Sequence, residues 1–209
     1  MKKFYYLLII FSVIFLTGCQ QPRLSNKADP IAMNTAKKTL IFIAFNGFQD
    51  TEYNETYQAL ARAGYQTTTI SSNMGVAQGK FGAKVMVENL ISDVNMNDYQ
   101  ALILIGGPGA ESYLQNQNLH QLIQQSVQQN KLTAAICLAP AILAEAGALK
   151  GKQATVWSSA DDHSFTDVLN KNGARYLDQG VVVDGKIITA NGPEIVKNFA
   201  QELIKLLNQ

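Results

Sequence analysis

Cys137 is the side chain of this sequence best suited to nucleophilic chemistry. It follows the small, apolar residues Ala135 and Ile136 and precedes Leu138, Ala139 and Pro140. A reactive residue between a strand and a helix start is typical of a nucleophile elbow, where small neighbours allow a tight turn. The helix N-terminus would favour the thiolate and lower the pKa of the thiol. The alternative is an unreactive buried cysteine at the end of a core strand.

A glycine pair, Gly106 and Gly107, offers a second component of such a site. Because these residues lack side chains, their backbone N–H groups can approach a ligand closely, as an oxyanion hole requires. A tight turn between strand and loop explains the pair equally well. No GxGxxG, GKT or GKS sequence is present, so nothing indicates nucleotide binding. We expect no cofactor and no bound metal.

Hydrophobic patterns predict the elements that position these residues. Short apolar runs predict strands, and apolar residues at helical spacing predict helices. The predicted strands cover residues 39–44, 65–70, 101–105, 132–136, 154–157, 174–177, 181–183 and 186–189. The predicted helices cover residues 50–63, 119–129, 139–146, 165–170 and 193–207. Asp184–Gly185 predicts a hairpin between the last two strands.

The alternation of strands and helices indicates an α/β fold whose mostly parallel sheet carries helices on both faces. Ligands bind such sheets beyond the carboxyl ends of the strands. Three stretches occupy predicted strand ends: 46–52, 106–109 and 137–138. We therefore expect the chemistry of this protein at that edge of the sheet.

The N-terminus is typical of an exported lipoprotein. Lys2 and Lys3 precede an apolar run, residues 4–16. At about 1.5 Å per residue this run spans roughly 20 Å, too short for a hydrocarbon core of about 30 Å. The sequence Leu-Thr-Gly-Cys ending at Cys19 resembles the lipobox of bacterial lipoproteins, in which the cysteine is lipidated and becomes the new N-terminus. The alternative is a plain signal peptide with an incidental cysteine.

This interpretation divides the chain into a signal peptide (1–18), a lipidated Cys19 with a flexible tether (19–38) and one domain (39–209). The expected location is the bacterial cell envelope. Gln20 is not the aspartate that retains such proteins at the inner membrane, so a Gram-negative source implies the outer membrane, facing the periplasm. Cys137 then remains the sole thiol and has no disulfide partner.

The charge balance excludes an electrostatic nucleic-acid surface on the scale of the whole chain. The 209 residues include 17 basic and 16 acidic side chains, a formal charge of +1, and no basic run. Removal of Lys2 and Lys3 with the signal peptide leaves 15 − 16 = −1. The slight excess of positive charge therefore belongs to the export signal, and we expect no nucleic-acid partner.

Several motifs, in order along the chain, resemble one known family. They are residues 47–52 (GFQDTE), 98–107, 132–140 (LTAAICLAP), 146–151 (AGALKG), 181–185 and 189–193. They resemble the ThiJ/PfpI superfamily, which includes the parkinsonism-associated protein deglycase and the PfpI proteases within the class I glutamine amidotransferase-like fold. The resemblance implies a flavodoxin-like three-layer sandwich.

The resemblance also implies roles for four residues. Cys137 matches the reactive cysteine, and Glu52 matches the family's glutamate, often protonated, whose carboxyl group hydrogen-bonds that sulfur. Gly107 and Leu138 would direct backbone N–H groups at an oxyanion or an oxidised sulfur. A carboxylate beside a thiolate is unfavourable unless one of them holds a proton. The alternative for Glu52 is a capping acid in the first turn of a helix.

Departures from the family pattern concern histidine. PfpI-type proteases carry a histidine directly after the cysteine, where this chain has Leu138, and some relatives carry a histidine or tyrosine where it has Trp157. His120 lies on a predicted polar helix, and we expect it at the surface. His163 lies near a predicted strand end, where it could serve as a base for Cys137 or begin a helix. A peptidase mechanism without an adjacent base lacks its proton acceptor.

Three functions are compatible with these residues. The leading hypothesis is a membrane-anchored protein whose Cys137 senses oxidants or transforms reactive carbonyls, with glyoxalase- or deglycase-like chemistry, in a stress response. The second is a cysteine hydrolase, a peptidase or amidase with His163 as base. The third is a non-catalytic, chaperone-like or scaffolding domain. The expected partners are the membrane and a small aldehyde or oxidant, and the resemblance is compatible with a homodimer.

Overall fold

The structure, a computed structural model, describes residues 37–209. Its strands are β1 (Lys38–Phe42), β2 (Asn46–Phe48), β3 (Gln66–Ser71), β4 (Gly75–Gly79), β5 (Lys84–Val87), β6 (Asn89–Leu90), β7 (Ala101–Leu104), β8 (Leu132–Ile136), β9 (Gln153–Ala154), β10 (Arg175–Tyr176), β11 (Val181–Asp184) and β12 (Ile187–Ala190). Its α-helices are α1 (Asp50–Arg62), α2 (Gln117–Gln128), α3 (Pro140–Glu145), α4 (Ser164–Lys171) and α5 (Val196–Leu207). None of these helices is long and apolar enough to cross a membrane.

Seven strands form the main sheet, in the order β11-β12-β8-β7-β1-β3-β6. All neighbours are parallel except β11 and β12, which form an antiparallel hairpin at one edge. The centre of the sheet is therefore β8, β7 and β1, whose carboxyl ends lie side by side. The predicted α/β architecture with a mostly parallel sheet is confirmed.

Helices cover both faces of this sheet, and successive residues of a strand serve opposite faces. Leu40 and Phe42 of β1 pack into the apolar cluster that also includes residues of α2, α3 and α4. Ile41 and Ile43 pack into the second cluster, with residues of α1 and α5. The three-layer sandwich follows from burial of the strands on both sides, which explains their continuous apolar runs.

A small second sheet, which the sequence analysis did not predict, consists of β2, β4 and β5. The hairpin of β4 and β5 is antiparallel, and residues such as Val76 and Met86 pair across it with exposed side chains. Asp50, the first residue of α1, holds the tip of the hairpin, because its carboxylate accepts hydrogen bonds from the N–H groups of Phe81 (2.9 Å) and Ala83 (2.7 Å). This contact brings the hairpin to the carboxyl edge of the main sheet.

Two predictions near the C-terminus need correction. The turn between β11 and β12 is Gly185–Lys186 and not Asp184–Gly185, since Asp184 still pairs with Ile187. The Asp184 carboxylate accepts hydrogen bonds from the Lys152 ammonium and the Gln153 N–H, both at 3.0 Å, which fixes it at the strand end. The final helix begins at Val196, after the 3-10 turn Pro193–Ile195, and not at Pro193.

Candidate active site

Cys137 is the first residue of the three-residue connection between β8 and α3, at the centre of the carboxyl edge. Its φ angle is +63°, a left-handed conformation that a residue with a side chain seldom adopts. Two neighbouring segments hold the backbone there: the Cys137 N–H donates to the Ala190 carbonyl, and the Cys137 carbonyl accepts from the Trp157 N–H, both at 2.9 Å. Strained conformations of this kind persist where surrounding structure enforces them, most often at functional sites.

The glycine pair follows β7 and lies directly beside this connection. A Cβ atom on Gly106 would be 2.5 Å from the Cβ of Cys137. Gly107 has a φ of +103°, and a Cβ atom there would be 2.5 Å from both the Gln49 N and the Gly47 carbonyl oxygen. Both glycines are therefore required by close packing of three strand ends, in addition to any role of their N–H groups.

The variant Gly107→Ala is expected to destabilise the fold and to disrupt the site. The new methyl group would overlap backbone atoms that cannot rotate away, and the φ angle would be strained, at a combined cost of about 2–4 kcal/mol. Urea denaturation would measure the free energy of unfolding. Gly82→Ala is a matched control, because its φ is also positive (+96°) but its Cβ would meet nothing within 4 Å. Equal losses in both variants would contradict the packing argument.

Glu52 reaches the site from the first turn of α1. The N-cap of this helix is Gln49, whose side-chain oxygen accepts hydrogen bonds from the N–H groups of Thr51 (2.6 Å) and Glu52 (3.2 Å). The helix end is joined to the strand end, since the Gln49 N–H donates to the Gly106 carbonyl (3.0 Å) and the Glu52 Oε2 accepts from the Gly106 N–H (3.0 Å). Capping thus falls to Gln49, and the Glu52 carboxyl group is free to face the cysteine.

The environment of Glu52 favours its neutral form. The side chain has no solvent exposure, and among residues 37–209 nothing forms a hydrogen bond with its Oε1. Burial raises the pKa of Glu52 to about 8, against the opposing hydrogen bonds with Gly106 and Cys137, and the charge of Glu194 adds to the increase. At neutral pH Glu52 is therefore mostly a carboxylic acid that can donate a proton.

The environment of Cys137 contradicts the expectation that a helix N-terminus lowers the pKa of this thiol. The residue is only 7 % exposed. Burial raises the pKa of Cys137, and the charge of Glu52 raises it further. Hydrogen bonds from the N–H groups of Gly107 and Leu138 oppose this increase. The helix effect is weak because α3 has only six residues. Once Glu52 holds a proton its repulsion disappears, so the thiolate depends on the protonation state of Glu52.

A cleft of about 690 Å³ opens above Cys137. Its lining is largely apolar, with two charged side chains at the exposed rim: Gln49, Thr51, Lys80, Phe81, Gly107, Pro108, Cys137, Leu138, Trp157, Pro193 and Glu194. Lys80 and Phe81 come from the tip of the β4–β5 hairpin and were missed by the sequence analysis, because no strand pattern placed that segment near the cysteine. An apolar cleft with a few polar groups at its base is typical of a small-molecule site.

The two histidines lie away from this cleft. His163 is exposed, directly precedes α4 and is absent from the cleft lining, so the structure does not bring it to Cys137. His120, expected at the surface, is instead buried, and its Nε2 lies 2.8 Å from the Leu114 carbonyl oxygen. Among the described residues, no three Cys, His, Asp or Glu side chains are grouped as metal ligands.

Comparisons with known proteins agree with this architecture. Residues 37–206 match the DJ-1/PfpI family. An uncharacterised protein of Methanocaldococcus jannaschii is 39% identical over 82% of this chain and 83% of its own, and the deglycase PfpI of Pyrococcus furiosus is 32% identical over 80% and 98%. The crystal structure of a ThiJ/PfpI domain protein from Brachyspira murdochii superimposes with a TM-score of 0.77, at 31% identity, over 82% of this chain and 96% of that one. The chain is a member of the DJ-1/PfpI family.

Proposed function

We propose that this protein is a lipid-anchored enzyme of the cell envelope that converts small reactive carbonyl compounds through Cys137, as a deglycase- or glyoxalase-like member of its family. The observation that supports this proposal most strongly is the pairing of Cys137 with a buried Glu52 whose pKa is raised to about 8. Such an acid is poised to exchange protons near neutral pH, as general acid–base catalysis requires.

The carboxylate form of Glu52 takes the proton of the Cys137 thiol, and the sulfur attacks the aldehyde carbon. A C–S bond forms, the π pair of the C=O bond moves to oxygen, and protonated Glu52 returns a proton to that oxygen to give a hemithioacetal. For an α-oxoaldehyde, Glu52 then moves the proton of the aldehyde carbon to the ketone carbon, while the proton of the hemithioacetal hydroxyl group moves to the ketone oxygen, so that the former aldehyde carbon becomes the thioester carbonyl. The resulting thioester is hydrolysed by water, which releases a 2-hydroxy acid and restores the thiol.

The direct test is formation of lactate from methylglyoxal by the purified protein, followed by chromatography that separates the two lactate enantiomers. A proton transferred within the cleft gives one enantiomer in excess, whereas reaction in free solution gives both. Absence of lactate above the buffer control would reject the carbonyl function. The peptidase alternative gains no support from the cleft, because His163 does not line it.

Redox sensing is a second candidate, favoured by the N–H groups of Gly107 and Leu138 at the Cys137 sulfur. These donors and protonated Glu52 would stabilise a sulfinate, the second product of the oxidation ladder. Limited peroxide is expected to add two oxygen atoms at Cys137, as measured by intact mass and peptide mapping. Because burial raises the pKa of this thiol, oxidation should be slow at neutral pH and accelerate as the pH increases. Preferential oxidation of methionines would argue against sensing.

The anchoring part of the proposal concerns Cys19, which lies outside the described residues. The variant Cys19→Ser is expected to abolish incorporation of labelled palmitate and to shift the protein from the membrane fraction to the soluble fraction. Mass spectrometry of the wild-type N-terminal peptide should find a diacylated or triacylated Cys19. Cys137→Ser is the matched control and should remain lipidated. Equal membrane association of wild type and Cys19→Ser would show that lipid at Cys19 is not the anchor.

A further inference from the structure

We infer that the amino edge of the main sheet, opposite the cleft, is a basic surface that contacts anionic phospholipid headgroups and turns the cleft away from the membrane. This inference relies on the anchoring part of the proposed function. The "basic end" is defined by five lysines in loops or at a strand start: Lys37, Lys38, Lys131, Lys150 and Lys186.

Strand pairing places these lysines at one edge. Lys37 and Lys38 lie at the start of β1, Lys131 directly precedes β8, and Lys186 directly precedes β12. All three strands are parallel parts of one sheet, and the Lys186 carbonyl accepts a hydrogen bond from Thr133 of β8 (2.9 Å). Their first residues therefore lie together, at the edge farthest from the carboxyl ends that carry Cys137.

Lys150 joins the same edge through the segment before β9. The N–H of the next residue, Gly151, donates to the Gly173 carbonyl (2.8 Å), just ahead of β10. Lys152 forms an ion pair with Asp184 beside the β11–β12 turn, at 3.0 Å. That turn contains Lys186, so the two loops are neighbours.

Local helix electrostatics explain only part of this positive charge. Arg62, Lys171 and Lys205 lie in the last turns of α1, α4 and α5, where cations stabilise a helix end. Lys37, Lys38 and Lys186 lie on no helix, so that explanation does not apply to them. Lys37 makes one local contact, since its ammonium lies 5.1 Å from the centre of the Tyr65 ring, whereas Lys38 and Lys186 have no such role.

None of the five lysines forms an ion pair with another residue of the described part of the chain. Within residues 37–209, the ion pairs are Lys152–Asp184 and Lys205–Glu202, and neither involves a lysine of the basic end. Four of the five are exposed and Lys131 is half-buried. Asp98, just before β7, and Asp184, already paired with Lys152, are acidic side chains near this edge, and they are too few to neutralise it.

The cleft end has the opposite balance. Arg175, at the start of β10, lies beside the basic end. The remaining cations of the described residues, away from the basic end, are Lys80, Lys84 and Lys197. Acidic side chains around the cleft end include Glu111, Asp161, Asp162, Asp178 and Glu194. Positive charge is therefore concentrated at the amino edge of the sheet and negative charge at the carboxyl edge, although the net charge of the chain is near zero.

The point at which the N-terminal segment joins the domain favours a membrane, and not another polyanion, as the partner of the basic end. Residues 1–36 join the domain at Lys37, so a tether from a lipidated Cys19 attaches at the basic end. The 37 − 19 = 18 Cα–Cα steps from Cys19 to Lys37 reach at most about 60 Å when fully extended. That tether keeps the domain near the bilayer, where several lysines within a Debye length of anionic headgroups bias its orientation. The cleft then faces the aqueous compartment that supplies small substrates.

The test is lysine footprinting of the full-length lipidated protein, reconstituted in two kinds of vesicle: phosphatidylcholine alone, or phosphatidylcholine mixed with phosphatidylglycerol. Brief acetylation followed by peptide mapping should find the five lysines labelled roughly threefold more slowly on the anionic vesicles. Lys84 and Lys197 are internal controls and should be labelled equally on both. High salt should remove the protection, since the contact is electrostatic.

Two charge-reversal variants sharpen the test. Lys150→Glu/Lys186→Glu should abolish the protection of Lys37 and Lys38, whereas Lys84→Glu/Lys197→Glu, with the same change in net charge, should preserve it. Equal labelling on both vesicles, although the protein co-sediments with them, would overturn the proposed orientation and leave anchoring intact. Failure of the lipidated protein to co-sediment with either vesicle would instead reject anchoring. Equal protection of the same lysines by duplex DNA would overturn the assignment to headgroups.

Discussion

The variant Cys137→Ser is expected to lose carbonyl conversion by about 10³-fold or more. Serine is nearly isosteric, but a hydroxyl group is a far weaker nucleophile than a thiol and is much harder to deprotonate at neutral pH. The backbone strain at φ +63° is unaffected by this exchange, so the fold should be retained. The measurement is kcat/KM for methylglyoxal, together with the free energy of unfolding for both proteins.

Two controls make this result specific. His163→Ala should retain the activity of the wild type, because His163 is exposed and absent from the cleft. Cys137→Gly should also be inactive but more stable than a serine variant at the same position, since glycine adopts a positive φ without strain. Activity retained in Cys137→Ser would exclude the thiol as nucleophile. A large loss in His163→Ala would instead revive a hydrolase mechanism with a mobile base.

The sequence was informative where one physical constraint determined the structure. Runs such as Leu132–Ile136 are buried on both faces, and only a central parallel strand satisfies that pattern. Their order along the chain then predicted the carboxyl edge as the site. The β4–β5 hairpin gave no such signal, because its exposed face carries Val76 and Met86 and its register depends on contacts with Asp50.

The prediction of a lowered pKa for Cys137 was wrong, for a reason that no local sequence pattern reveals. Position before a helix suggested a lowered pKa for Cys137, but its sulfur is buried beside a carboxyl group from an element 85 residues earlier in the chain (137 − 52 = 85). Desolvation and a long-range neighbour outweigh a short helix end. Likewise His120 lies on a glutamine-rich helix yet is buried, and its Nε2 lies within hydrogen-bond distance of the Leu114 carbonyl oxygen, in the segment before that helix.

The variant Glu52→Gln should separate catalysis from stability. Glutamine can keep the Gly106 hydrogen bond through its oxygen and present an N–H group toward the sulfur, but it cannot transfer a proton. Loss of general acid–base catalysis should reduce kcat by about 10²- to 10⁴-fold. Removal of the carboxylate charge should also lower the pKa of the Cys137 thiol, measured by the pH dependence of its alkylation rate.

The contribution of Glu52 to the stability of the wild type should depend on pH in the opposite sense to that of the usual acidic residue. The pKa of Glu52 is 4.5 without the fold and about 8 within it, so the folded state binds the extra proton between these values. The stability from this group is therefore complete below about pH 4.5 and is lost as the pH rises toward 8, at roughly 1.4 kcal/mol per pH unit. Glutamine does not titrate, so Glu52→Gln should match the wild type near pH 4.5 and exceed it in free energy of unfolding by about 3 kcal/mol at pH 7.

The difference between the two free energies of unfolding isolates this group from all others that titrate. A difference that stays constant from pH 4.5 to 8 would mean that Glu52 is ionised in the folded protein, and the proton exchange assigned to it would have to be abandoned.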